Sequence, residues 1–197
     1  KDDDHQCSAY DLDACSWSNI PDVDFALAED YPWTLGQFVW TGFDYLGEPS
    51  PYDVDSWPNH SSMFGIIDLA SIPKDRYYLF RSVWNRAAPT LHILPHWNWS
   101  PGDRVPVFVY SSHEEAELFV NGRSYGGRRK ARPSAPAEGL QDECLEDRYR
   151  LMWPDVAFEA GTLKVVAYDH GVAVDSACVR TAGKPHHLEL SAPVRQL

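Results

Sequence analysis

Basic residues are scarce in this sequence: 17 Lys and Arg stand against 29 Asp and Glu, for a formal net charge of -12. That balance argues against nucleic acid or an anionic membrane as partner, because phosphate binding needs clustered positive charge. The one basic run, Arg128-Arg129-Lys130, is short and reads as the solvated end of a hairpin. No apolar run is long enough to span a membrane, and no signal peptide is evident. The first residue is Lys1 rather than Met, inside a polar string ending at His5. This start suggests a fragment or processed chain, so the missing leader says little about location. Only four cysteines occur, Cys7, Cys15, Cys144 and Cys178, and none has C-x-x-C spacing. Free thiols are the expected state, with Cys7 and Cys15 the one pair close enough in sequence to consider. Neither a G-x-S-x-G elbow nor a GK[ST] phosphate loop is present, which removes support for serine-nucleophile and nucleotide chemistry.

Aromatic residues, by contrast, are plentiful. Eight Trp, ten Tyr and eight Phe suit carbohydrate binding, and they also suit the core of a large β-sandwich. Hydrophobic residues make up 44% of the 197 positions, enough for a substantial core and against general disorder. Residues 1–35 are polar and irregular, apart from a short helix expected around Asp24 to Asp30 and closed by Pro32. A buried strand is expected over 37–45, followed by a Pro-, Ser- and Asp-rich loop to Met63 and a short buried segment from Phe64 to Leu69. Pro73 to Trp84 reads as a helix, because Tyr77, Phe80, Arg81 and Trp84 fall at 3.6-residue spacing. Lys74 and Asp75 belong to its polar first turn.

The text changes near Ala87-Ala88-Pro89. Beyond it, strands are expected at Leu91–Leu94, Val105–Ser111, Ala116–Val120, Arg148–Trp153, Thr162–Asp169 and Val172–Arg180. Asn121-Gly122 and Asp169-His170-Gly171 mark hairpins. Short strands without intervening helices predict an immunoglobulin-like β-sandwich. Residues between Arg132 and Asp147 read as a mobile surface insertion, and His187 to Leu190 as the opening strand of a further module.

The densest chemistry lies between Gln37 and Tyr52. Trp, Asp, Tyr and Glu at one strand exit form a suitable wall for a sugar site, since flat rings stack on pyranose faces and carboxylates accept hydroxyl hydrogen bonds. A core strand with a decorated loop accounts for the same residues. The residues between Asp44 and Glu48 allow the two carboxylates to approach but impose no opposed geometry of a retaining pair. Asp2, Asp3, Asp4 and His5, or His186 with His187, lack a full set of spaced metal ligands and read as solvated tails. His96 is expected to pack at the domain junction, with Trp97 and Trp99 covering the seam.

The run from Phe38 through Trp40, Asp44 and Glu48 to Tyr52 resembles the last barrel strand of glycoside hydrolase family 2, in its β-galactosidase branch. Phe64 to Ala70 and Pro73 to Tyr78 resemble the next segments of such enzymes, in order. Leu94 to Trp99, Glu117 to Ser124 and Val165 to Tyr168 resemble the sandwich domain that follows. The resemblance implies a mixed fold: residues 1–88 the C-terminal end of a (β/α)8 TIM barrel, 89–183 an immunoglobulin-like β-sandwich, and 184–197 the start of a further module or linker. It further implies a retaining hydrolase of terminal β-galactosyl residues, whose two catalytic glutamates sit on earlier barrel strands, outside this chain. Trp40 is then the apolar platform under the sugar, with Asp44 and Glu48 as further substrate-binding candidates and Asp68 as a contact from beneath. Mg²⁺ or Na⁺ serves some such enzymes, but the residues here support no cofactor. Carbohydrate substrate and the remainder of the parent polypeptide are the implied partners. The rival reading is a non-catalytic carbohydrate-binding or scaffolding sandwich.

Overall fold

The structure is a computed structural model and describes residues 8–14, 17–46, 61–132 and 145–191. Two helices precede the strands. Helix α1 (Pro21–Asp30) starts with Pro at its first turn and places Asp22 and Asp24 where the N-terminal dipole favours negative charge. It stops at Tyr31, whose backbone is turned extended ahead of Pro32. Helix α2 (Asp75–Trp84) begins two residues after Pro73 and buries Leu79, Phe80 and Ser82.

The strands are β1 (Leu91–Leu94), β2 (Arg104–Ser111), β3 (Glu115–Val120), β4 (Arg123–Arg129), β5 (Arg150–Ala157), β6 (Thr162–Asp169) and β7 (Val172–Arg180). They form two antiparallel sheets, β1-β2-β5 and β4-β3-β6-β7. A single turn, α3 (Glu146–Tyr149), occupies the first residues expected of strand β5. Both hairpins fall where the sequence placed them: Asn121 and Gly122 have φ of 49° and 82°, His170 and Gly171 50° and 78°. These left-handed pairs match the strand twist across a two-residue connection.

Period-two burial fixes which faces meet. Ala116, Leu118 and Val120 on β3 point inward with Leu163, Val165 and Ala167 on β6, while Glu115 and Glu117 stay on the outer side. Against them pack Val105, Val107 and Val109 of β2 with Leu151 and Trp153 of β5. This inter-sheet core is a β-sandwich. Trp97 lies fully buried inside it rather than over a seam, with its indole nitrogen donating to the Glu159 carbonyl at 2.9 Å. Of the aromatics expected to cover the junction, only Trp99 remains outside, stacked on His96.

Strand β2 is buried on both faces, which a two-layer sandwich does not explain. Its other face carries Phe108 and Tyr110, which join Leu94 and Tyr149 in a second core with Val23, Phe25 and Ala26 of α1 and Leu79 and Phe80 of α2. The helices therefore roof the β1-β2-β5 sheet, making three layers. Arginines from β5 and the turn before it clamp this roof. Arg150 and Asp22 are both wholly buried and share two hydrogen bonds, one of them 2.8 Å, while Arg150 also donates to the carbonyls of Tyr10 and Asp11. Arg148 forks onto Asp30 at 2.7 and 2.8 Å and reaches Glu29 at 2.7 Å.

Two further sequence expectations fail. Residues 37–45 do not form a regular buried strand: only Phe43 makes a ladder bridge there, and Phe38 and Trp40 are exposed. Among the described residues only 61–67 pairs with this run, so no sheet exists for it to enter. Residues 187–190 likewise form no strand, and Leu188 and Leu190 lie in solvent. Cys178 is a free, exposed thiol, whereas Cys7, Cys15 and Cys144 lie outside the described residues. The insertion expected between Arg132 and Asp147 falls mostly outside them too.

Candidate functional site

Among the described residues, the run from Trp33 to Leu46 is the most apolar exposed stretch. Trp33, Leu35, Phe38, Trp40, Phe43 and Leu46 all present their side chains to solvent, Trp40 at 73% of its full accessibility. Its position is fixed by backbone pairing to residues 61–67. Thr41 N donates to Phe64 O (3.3 Å) and Thr41 O accepts from Ile66 N (3.1 Å). Gly42 O accepts from Ile67 N (3.0 Å), and Asp44 N donates to Ile67 O (2.9 Å). The approach is close enough that a Cβ on Gly65 would lie 2.1 Å from the Asp44 nitrogen, so only glycine fits. The peptide between Trp40 and Thr41 is cis.

Asp44 is anchored by its own surroundings. Its Oδ1 accepts from Gly65 N at 2.8 Å and from Lys74 Nζ at 2.9 Å, and its Oδ2 lies 2.7 Å from the same ammonium. Lys74 also reaches the Met63 carbonyl at 3.2 Å. A carboxylate so held ties the loop to the start of α2. Lys74, expected only as a polar first-turn residue, is thus the cation of this site; its partner lies 30 residues away and no local pattern announces it. Asp75 serves elsewhere, its carboxylate 2.6 Å from His92 Nε2, while Tyr78 stacks on the His92 ring at 3.8 Å.

Trp40 meets Tyr45 edge on, with ring centroids 6.0 Å apart at 78°, and its indole nitrogen donates to the Tyr45 hydroxyl at 3.2 Å. Phe64 continues the aromatic row, 6.4 Å beyond Tyr45. Asp68 spends Oδ1 on the amides of Ala70 and Ile72, both at 2.8 Å, and so closes its own turn. Glu48 lies outside the described residues. Among the described residues, no three His, Cys, Asp or Glu side chains gather as a metal site. His186 and His187 contact each other, their Nδ1 atoms 2.7 Å apart.

A shallow depression of about 460 Å³ opens on the outer face of the other sheet, between Glu115, Glu117, Arg128, Arg129 and Tyr168. Its carboxylates are already partnered: Glu115 pairs with Arg129 at 2.6 Å, and Glu117 accepts from Ser124 and, at 3.4 Å, from the Tyr168 hydroxyl.

Residues 102–175, which span β2 to the first half of β7, match a family described as a domain of unknown function, DUF4982. The chain is 42% identical, over 94% of its length, to β-galactosidase BoGH2A of Bacteroides ovatus. It is 38% identical, over 82% of its length, to a putative β-glucuronidase of Formosa agariphila. A solved glycosyl hydrolase family 2 member from Bacteroides cellulosilyticus superposes with a TM-score of 0.66 at 28% identity, covering 82% of this chain and 24% of that one. The chain spans 20% and 14% of the lengths of the two curated relatives. These relatives and solved neighbours are members of glycoside hydrolase family 2, of which DUF4982 is a C-terminal domain, and the chain resembles them over most of its length. Its kinship is with β-glycosidases.

Proposed function

We propose that this chain is a C-terminal segment of a retaining β-glycosidase that removes terminal β-galactosyl residues. In this reading residues 1–88 supply the last strand and helix of a (β/α)8 barrel, 89–183 the immunoglobulin-like sandwich behind it, and 184–197 a linker or further module. The observation that carries it is the exposed, buttressed indole of Trp40 in an apolar run that finds no cover within the described residues. Such a run calls for burial, and the remainder of a longer polypeptide would provide it. One face of Trp40 then becomes the floor of the sugar site, at the strand's carboxyl end, where barrel enzymes assemble their chemistry. Asp44 acts by holding the loop that presents this floor, and Glu48 is a further sugar contact. Catalysis belongs to two carboxyl groups elsewhere in the parent protein. One attacks the anomeric carbon and the other protonates the leaving oxygen; water then releases the glycosyl group.

The galactosyl assignment follows the Bacteroides ovatus relative. The Formosa relative favours a second reading, a terminal β-glucuronosyl substrate. Chromogenic β-galactoside and β-glucuronide, offered side by side to the full-length enzyme, separate the two. On the cleaved substrate, Trp40→Ala is expected to cost about 2–4 kcal/mol of transition-state stabilisation, read from kcat/KM. Wild-type kinetics in that variant would make Trp40 a packing residue only. A non-catalytic sandwich would instead bind glycan after residue 89, where the depression on the outer face has both its carboxylates already paired.

A further inference from the structure

We infer that Tyr45 is a positioning residue that fixes the plane of the Trp40 indole for stacking on a sugar ring, an inference that rests on the platform reading above. An indole carries one polar hydrogen, and here Tyr45 takes it at 3.2 Å. With that donor spent, Trp40 has only its π-face to offer a ligand, which suits the C–H-rich side of a pyranose rather than a hydroxyl. The edge-on contact at 78° and the hydrogen bond restrain the ring while leaving Trp40 at 73% of its full accessibility.

Tyr45 is itself secured through both halves of its backbone. Its N–H donates to Ser62 Oγ at 3.1 Å, and its carbonyl accepts from Ser62 N at 2.8 Å; Ser62 is buried. The preceding residue, Asp44, is tied to Gly65 and Lys74. A chain of fixed groups thus runs from the start of α2 to the indole nitrogen. An exposed tryptophan without such a buttress loses rotamer freedom when ligand arrives, whereas one already locked has met that cost on folding. The chemical class recognised is a sugar with one apolar face, seated flat and without a hydrogen bond from this indole.

The test uses the full-length enzyme that carries this chain and the chromogenic β-glycoside it turns over. Tyr45→Phe keeps the ring and deletes the hydroxyl. Because stacking acts on bound substrate and transition state alike, it should raise KM by about three- to tenfold with kcat near wild type. The melting temperature should hold, and the indole N–H resonance of Trp40, assigned by its loss in Trp40→Phe, should move. A wild-type KM in Tyr45→Phe beside a damaged Trp40→Ala overturns the role of Tyr45 alone. Unchanged kinetics in both variants overturn the platform reading together with it. A KM rise that disappears on cooling, alongside a lowered melting temperature, assigns Tyr45 to loop stability and also overturns the inference.

Discussion

Lys130 shows what burial does to one charge. Its ammonium donates to the Ser111 carbonyl at 2.5 Å, and burial lowers its pKa below the ordinary 10.5 despite the pull of Glu114 and Glu29. Between the lowered value and 10.5 the folded chain binds fewer protons here than the unfolded chain, so the stability contributed at this position rises with pH across that window. Below the window both states are charged and the full desolvation cost stands. The expected outcome is that wild type gains on Lys130→Met as pH is raised from about 7 to about 10. Urea midpoints of both proteins at the two pH values check this; comparing the pair cancels the buried tyrosines, whose raised pKa values act in the opposite sense. A gap independent of pH would show that Lys130 is charged at no cost.

At the level of elements, α1 is held to the sandwich by charge as much as by packing. Arg150→Met would leave the Asp22 carboxylate wholly buried without its partner, at an expected cost of about 3–5 kcal/mol. Asp22→Leu combined with Arg150→Met should cost less than the sum of the single changes, as a double-mutant cycle by chemical denaturation would show. A loss below about 1 kcal/mol in the single variant would mean that water reaches the pair. Nothing local announces this clamp, because its residues stand 128 positions apart. The strands were legible for the opposite reason. Alternation in Ala116, Leu118 and Val120 is written in consecutive residues, and Asn121-Gly122 carries its turn in two. Helix α2 was readable from its spacing, yet the pairing of Lys74 with Asp44 was not. The run over 37–45 misled because Phe38, Val39 and Trp40 have strand chemistry, while a strand also needs neighbours that composition cannot supply. Trp97 misled similarly: a tryptophan between polar residues reads as a surface cover, and only the fold reveals that the Glu159 carbonyl awaits its N–H.

For the molecule as a whole, stability is distributed unevenly. The two cores lie on either side of the β1-β2-β5 sheet, whereas in residues 33–46 Trp33, Leu35, Phe38, Trp40, Phe43 and Leu46 stay in water and only Val39 packs on a core. Hydrogen exchange on the isolated chain should therefore protect β2, β3 and β6 most strongly and 33–46 least. Protection of 37–45 equal to that of β2 in a dilute monomer would remove the need for any covering polypeptide. The roof over the sheet also governs how a longer protein can be dissected. A sandwich excised at residue 88 would leave Leu94, Phe108 and Tyr110 bare and strip Arg150 of its counter-ion. The smallest self-sufficient piece must start ahead of Tyr10, so a cloning boundary drawn where the strands begin would cut through the third layer that keeps them dry.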